Sequence, residues 1–343
     1  MDLTMILNNP ALIIIILLVM GVVFVNGWTD APNAIATVVS TRSMKPQAAV
    51  YMAAVFNLIG VLVMSWISPT VAFTISKMVN FGSGQEALIA LAAALVAIIV
   101  FAVAAWWFGI PTSESHALIA GLTGAAIASH GGLGGVSGEE WMKVVYGLGI
   151  SSVIGFGSGF GVTKLVELCF KRANRRKADK VFKGAQISGG ALMAFLHGAQ
   201  DGQKFIGVLM LGIFLARGLE VPTEFSVDVW VLVVCALVMG VGTSIGGYRI
   251  IKAVGMDMVK LEKYQGFSAD LAASICLFFS TVAGVPISTT HTKTTAVMGV
   301  GASKRMSRVN WGIVKEMLTA WVLTFPVCGL IGYGMVFLFQ WIF

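Results

Sequence analysis

The stretch that most limits what this chain can become is residues 24–41, FVNGWTDAPNAIATVVST. It continues an apolar run, 11–24, of a kind that dissolves in lipid. Yet it carries Asn26, Asp30 and Asn33, with Gly27 and Pro32 between them. A carboxylate at membrane depth costs a few kcal/mol unless it finds a partner. Gly and Pro loosen the helix at that point and release backbone carbonyls to act as ligands. An apolar helix, a break and an acid together predict an ion site inside a membrane protein.

A weaker copy follows at residues 195–209, FLHGAQDGQKFIGVL, where Phe24, Gly27 and Asp30 align with Phe195, Gly198 and Asp201 at a constant offset of 171. A second pair, PTSESHALIAGLTG at 111–124 and PISTTHTKTTAVMG at 286–299, aligns at an offset of 175. Pro111, Ser113, His116 and Gly124 then fall on Pro286, Ser288, His291 and Gly299. Two matches in the same order predict an internal duplication with a small insertion between its motifs.

Composition fixes the class. Only 11% of the residues are charged and the mean hydropathy is +0.88, whereas soluble domains carry about 25% charge. The expected fold is an all-α polytopic membrane protein. Residues 11–24 could pass for a signal peptide, but the preceding segment holds Asp2 and no Lys or Arg, and no small-residue cleavage site follows. The run is therefore read as the first span. With about 20 apolar residues per span, the first half gives passes at 10–41, 47–68, 86–109, 111–128 and 141–169. The second gives 187–216, 227–247, 267–284, 286–302 and 310–342. The short, Gly-rich passes at 111–128 and 286–302 read equally as spans or re-entrant hairpins. The division expected is a first repeat at 1–169, a basic linker at 170–186 and a second repeat at 187–343. The four cysteines are widely spaced in apolar surroundings and form neither a metal nor a disulfide pattern.

Charge sets the orientation. Sixteen of the 23 basic residues lie in four short segments, after 41 and at 170–186, 248–266 and 303–309. All four fall on one side of the expected topology, so these loops are read as cytoplasmic and both termini as outside. The net charge of +7 is thus a topogenic signal, not a mark of nucleic-acid binding. Five passes per half is odd, which makes the second repeat inverted relative to the first, with a substrate site near the midplane. The 170–186 segment reads as a solvated linker or a lipid-headgroup contact. Segment 248–266 reads as an interfacial helix, with Arg249 and Lys252 as possible attractors of an anion.

Pro111 and Pro286 each precede a set of small hydroxyl residues, and Pro suits the first turn of a helix. The N–H groups that follow lack intrahelical acceptors and, with the helix dipole, make an anion site. Thr112, Ser113 and Ser115 from one motif, and Ser288, Thr289 and Thr290 from the other, add neutral donors that can hold an anion and still release it. Asp30 and Asp201 would repel that anion, by roughly 4 kcal/mol per unit pair at 4 Å and an effective dielectric of 20. Cations or protons must therefore sit between them, and this requirement is a coupling mechanism. Lys204 aligns with Asn33, so a tethered ammonium stands where the other motif offers an amide. It is read as replacing one of two symmetric cations. The matched His116 and His291 are either packing hydrogen-bonders or groups that orient the anion or report pH. Lys293 is expected to balance Glu114. An aspartyl protease would leave the hydroxyl-rich helix starts without purpose. A passive channel needs no buried acids facing an anion path.

The segments NGWTDAPNAIATVVSTR at 26–42, HGAQDGQKFIG at 197–207, PTSESHALIAG at 111–121, PISTTHTKTTAVMGVG at 286–301 and GGYRIIKAVG at 246–255 resemble the PiT family of inorganic phosphate transporters. The resemblance implies phosphate carried into the cell across the plasma membrane with sodium or protons, through an inverted-repeat fold that alternates its access, in a homodimer. It places cation binding, including Na+ in a sodium-coupled protein, on Asn26, Asp30, Asn33 and Asp201. It places phosphate on the Ser/Thr-rich starts of the two short helices. Pro32 stands where Ala is common in the family, and Lys204 where sodium-coupled relatives often have Asn. The second difference resembles a bacterial, proton-linked branch, which implies phosphate taken as a neutral complex with a divalent metal. The family also contains sulfate carriers.

Overall fold

A computed structural model describes residues 9–110, 112–222 and 225–342. The described residues are almost entirely helical, with one isolated β-bridge between Val79 and Val136. The elements are α1 (Pro10–Thr29), α2 (Pro32–Ser40), α3 (Pro46–Ile67), α4 (Thr70–Ser76), α5 (Gln85–Trp107), α6 (Glu114–His130), α7 (Gly138–Cys169), α8 (Arg175–Ala216), α9 (Val229–Ile245), α10 (Tyr248–Lys252), α11 (Lys263–Val282), α12 (Thr289–Lys304) and α13 (Trp311–Ile342).

Local chemistry sets several of the boundaries. Pro10, Pro32 and Pro46 start α1, α2 and α3, where a missing N–H costs nothing. Ser113, Ser137, Asn174 and Ser288 cap α6, α7, α8 and α12 with their side chains. Gly131, left-handed at φ 64°, ends α6. Gly246, at φ 72°, turns the chain by 66° between α9 and the segment 248–257. Pro111, expected to open α6, lies outside the described residues.

Among the described residues, six helical segments are long and apolar enough to cross a membrane, and the bent α9–α10 unit makes a seventh. The remaining expected passes differ for a physical reason. At about 1.5 Å per residue, α6 and α12 are only about 25 Å long. Both begin in the protein interior, where Ser113 and Ser288 are buried. The pass expected from 187 begins at Arg175, so most of the 170–186 segment is the exposed, basic first turns of the 42-residue α8. Segment 248–257 forms α10 and a π-helical turn. It lies against α2: a Cβ on Gly255 would meet the Ala36 carbonyl at 2.5 Å. Arg249 donates to the Trp107 carbonyl and lies over the Trp106 and Trp107 rings.

The two halves exchange partners. A Cβ on Gly124 of α6 would meet the Gly329 carbonyl of α13 at 2.0 Å, and one on Gly299 of α12 would meet the Phe156 carbonyl of α7 at 2.0 Å. Likewise Gly27 of α1 abuts Met239 of α9, and Gly198 of α8 abuts Asn57 of α3. Each glycine lets its helix approach a helix from the other half at backbone contact, as small residues do between membrane helices. Replacing Gly299 with Val should therefore cost on the order of 1–3 kcal/mol. Gly157→Ala, with no atom within 4 Å of the new Cβ, should not destabilise; thermal denaturation in detergent of the two variants checks the contrast.

Candidate functional site

The break in the first span falls between Thr29 and Pro32. There the N–H groups of Asp30 and Ala31 both reach the Asn26 carbonyl, at 2.9 and 3.2 Å. This exposes the Asp30 side chain to the interior and restarts the chain as α2. On α8, Asp201 projects from an unbroken helix. His197, Asp30 and Asp201 present ligand atoms that all lie within 4.8 Å of one another, and the three residues are buried. The two aspartates, 171 residues apart, therefore share one pocket.

The two short helices bring their tips to the same place. Ser288 Oγ donates to Ser113 Oγ at 2.8 Å, so α6 and α12 meet nose to nose. The Ser113 hydroxyl accepts from the His116 N–H at 3.4 Å, and the Ser288 hydroxyl from the His291 N–H at 3.1 Å. Glu114, Ser115, Thr289 and Thr290 lie in first turns, whose N–H groups have no intrahelical acceptor. Two helix N-termini thus point at one another, with both dipoles positive toward the gap.

The side chains of the tips reach the acids. Thr290 donates to Asp30 Oδ1, which also accepts from Asn33 Nδ2 at 2.6 Å. Asn33 Nδ2 lies 3.1 Å from Thr290 Oγ1. Thr289 Oγ1 donates to Asp201 Oδ2 at 3.2 Å, and Asn26 Nδ2 reaches the same oxygen at 3.4 Å. Lys204 Nζ donates to Asp201 Oδ1 at 2.6 Å, to Ser115 Oγ at 2.6 Å and to the Ile287 carbonyl at 2.7 Å. Its ammonium thus ties α8 to both short helices while wholly buried. Thr112 lies on the wall of a small cavity with Thr29, Asp30 and Glu114.

His116 and His291 face each other edge to face with ring centres 4.3 Å apart. His116 also packs against Phe325, and His291 stacks on Trp321 at 3.5 Å, both rings from α13. The pair therefore sits behind the tips as an aromatic cluster. The expected pairing of Lys293 with Glu114 does not form. Lys293 pairs with Asp270 and donates to Thr37 Oγ1 at 3.1 Å, while Glu114 accepts from Thr29. The reason is placement: Glu114 opens its helix, whereas Lys293 lies a turn into α12 on the face toward α2 and α11.

His197 was not singled out from sequence, though a signal existed. At the 171 offset it aligns with Asn26. Its Nε2 lies 3.3 Å from Asp201 Oδ2 and its Nδ1 lies 3.1 Å from Asn57 Oδ1. Asp30 therefore has the neutral donors Asn33 and Thr290, whereas Asp201 has an imidazole and an ammonium beside it. The difference shows in the hydrogen bonds. Asn26 Oδ1, Asp30 Oδ2 and Asn33 Oδ1 are buried and meet no donor among the described residues. Amide and carboxylate oxygens without donors are of the hard type that Na+ takes. Both Asp201 oxygens are already engaged.

The model of a family described as a phosphate transporter family, PHO4, matches residues 26–332. A probable low-affinity inorganic phosphate transporter of Bacillus subtilis is 37% identical over the full length of both chains. One of Rhizobium meliloti is 37% identical over 94% of each, and a putative phosphate permease of Pyrococcus furiosus is 25% identical over 96% of each. A solved structure titled "The sodium-dependent phosphate transporter" is similar in fold, with a TM-score of 0.89 at 22% identity, covering 98% of this chain and 100% of that one. A shared family model across most of the chain, full-length relatives and the same helical frame make this multi-pass membrane protein a member of the PHO4 phosphate transporter family.

Proposed function

We propose that the protein imports inorganic phosphate together with a cation, by alternating access of a site formed where the tips of α6 and α12 meet Asp30 and Asp201. The observation that carries the reading is a competition for hydroxyls. Thr289 and Thr290, expected phosphate donors, are turned onto Asp201 and Asp30. A cation on the Asp30 oxygens takes over the role of Thr290 and frees it, with the tip N–H groups, for the anion. Phosphate without a cation meets both occupied donors and a bare carboxylate. The same charge logic admits sulfate as a cargo and a divalent metal entering with phosphate. What favours phosphate is that the similar Bacillus subtilis and Rhizobium meliloti proteins are described as probable inorganic phosphate transporters.

The inverted arrangement of the halves and the orientation with basic loops inside belong to this reading. The support is the reciprocal exchange of glycine contacts between halves. A further support is that α2, α8, α11 and α12 all have basic residues near the same end of the bundle, at Arg42, Arg175, Lys263 and Lys304. Lys204 supplies a fixed positive charge to Asp201, so the coupled cation is assigned to the Asp30 side.

In proteoliposomes, radiolabelled phosphate uptake should rise with an imposed inward gradient of protons or of sodium. Uptake indifferent to both gradients would refute the symport. Asp30→Asn should make phosphate binding independent of the cation, because the charge repulsion is removed and the remaining amide oxygen holds the Thr290 hydroxyl more weakly than a carboxylate does. In Lys204→Asn, uptake should acquire a cation dependence beyond that of the parent. Ser288→Ala removes one tip hydroxyl, a hydrogen bond worth about 1 kcal/mol or a factor of about five, and phosphate affinity should fall by about that factor in an isotope-binding assay.

A further inference from the structure

A second group of buried polar side chains lies away from the phosphate tips and takes no part in the reading above. Lys293 and Asp270 are each 0% exposed, as are Thr37 and Gln186. They come from four helices: α12, α11, α2 and α8. The Asp270 carboxylate accepts from Thr37 Oγ1 at 2.8 and 2.9 Å and from Gln186 Nε2 at 2.7 Å, and pairs with the Lys293 ammonium. Lys293 is one turn along α12 from Thr289 and Thr290. Thr37 is one turn along α2 from Asn33, which itself reaches Thr290. The group therefore lies directly behind the anion tips, on the side where the basic loops leave the bundle.

The fold does not need these charges there. The internal alignment places Thr37 opposite Val208 and Gln186 opposite Ile15 at the 171 offset, and Asp270 opposite Leu95 and Lys293 opposite Leu118 at the 175 offset. All four counterparts are buried members of one apolar cluster. The same frame thus closes the corresponding place in the other half with hydrocarbon. Buried ion pairs are in general no more stabilising than well-packed apolar residues of similar volume, so packing does not account for the quartet.

The donor chemistry does account for it. Around the Lys293 ammonium stand a carboxylate and a threonine hydroxyl, and Gln186 Nε2 donates to the same carboxylate. The carboxylate and hydroxyl are hard oxygen ligands of the type that hold a monovalent alkali cation, and an ammonium is a compact point charge of the same sign. We propose that Asp270 and Thr37, with Gln186 holding the carboxylate in place, form a second cation site, one turn behind the phosphate tips, which the Lys293 ammonium fills as a tethered ion. The consequence is functional. The charge stands beneath the phosphate site in every turnover, and no cation from solution is bound or released at this place.

The test is removal of the tether. Purified Lys293→Ala and Lys293→Ser chains, without phosphate, should bind one more sodium than the parent in an isotope-binding assay. Their melting temperatures should rise with NaCl against choline chloride at equal ionic strength. The double variant Asp270→Asn/Lys293→Ala should lose both gains. Sodium binding and melting in the single variants no different from the double variant would overturn the assignment, and so would failure of both single variants to fold at any sodium concentration. Recovery of a poorly folded single variant by sodium alone would support it. Because phosphate is absent throughout, a negative result leaves the transport reading standing, and the uptake assay above decides that separately.

Discussion

Two carboxylates held within a few ångströms of each other, out of water and beside paired helix tips, are the constraint around which this molecule is built. Each carries a charge whose burial is costly unless it is compensated. The chain compensates them differently. Asp201 receives a fixed ammonium from Lys204, a nearby imidazole from His197 and a hydroxyl from Thr289. Asp30 receives only neutral donors and keeps one oxygen without a donor, alongside those of Asn26 and Asn33. One half of the site carries a tethered ammonium and the other half keeps buried oxygens without donors. In the proposed symport, an anion binding between them would be sensitive to whether a second cation has arrived.

The surrounding architecture serves to bring these groups together without exposing them. The break at Asp30 and the N-caps at Ser113 and Ser288 aim a broken span and two short helices at one point. Glycines at 27, 124, 198 and 299 let those elements lie at backbone contact with long helices of the opposite half. A side chain at any of these four positions would push apart helices that hold opposite walls of the site. Packing and chemistry are therefore linked through the same residues, and a change at Gly299 is expected to act on the Thr289 and Thr290 donors as well as on stability.

Much of this was legible before any coordinates. The polytopic class followed from hydropathy, and the break in the first span from Asp30 and Pro32 inside an apolar run. The convergence of the two hydroxyl-rich starts was implied by their matching order in the two halves. What misled was distance along the helix. Glu114 and Lys293 occur near equivalent motifs, and opposite charge suggested a pair. Residues four apart in register share a face but lie a full turn, about 6 Å, apart along the helix axis, and each found its own partner at its own depth. Asp270 was overlooked although it is a lone acid within an apolar pass, a signal that a membrane-depth charge always gives. His197 was missed because its aligned residue is an amide, and the motif was matched on identical residues.

By itself the sequence determined the lipid-embedded helical class and the polar residue types that break into its apolar runs. These properties rest on composition and local spacing, which need no knowledge of what touches what. Only the tertiary structure decided which charge answers which: Lys204 with Asp201 and Ser115, Lys293 with Asp270 and Thr37, and Asp30 with uncharged donors alone. Lys204–Asp201 and Asn33–Asp30 are three positions apart and Lys293–Asp270 twenty-three, but the links Lys204–Ser115, Lys293–Thr37 and Asp30–Thr290 span 89, 256 and 260 positions. They are set by the rotation and depth of helices from opposite halves, which hydropathy and motif spacing leave free. The identity of the groups was written in the chain, and their electrostatic partnership arose when the helices packed.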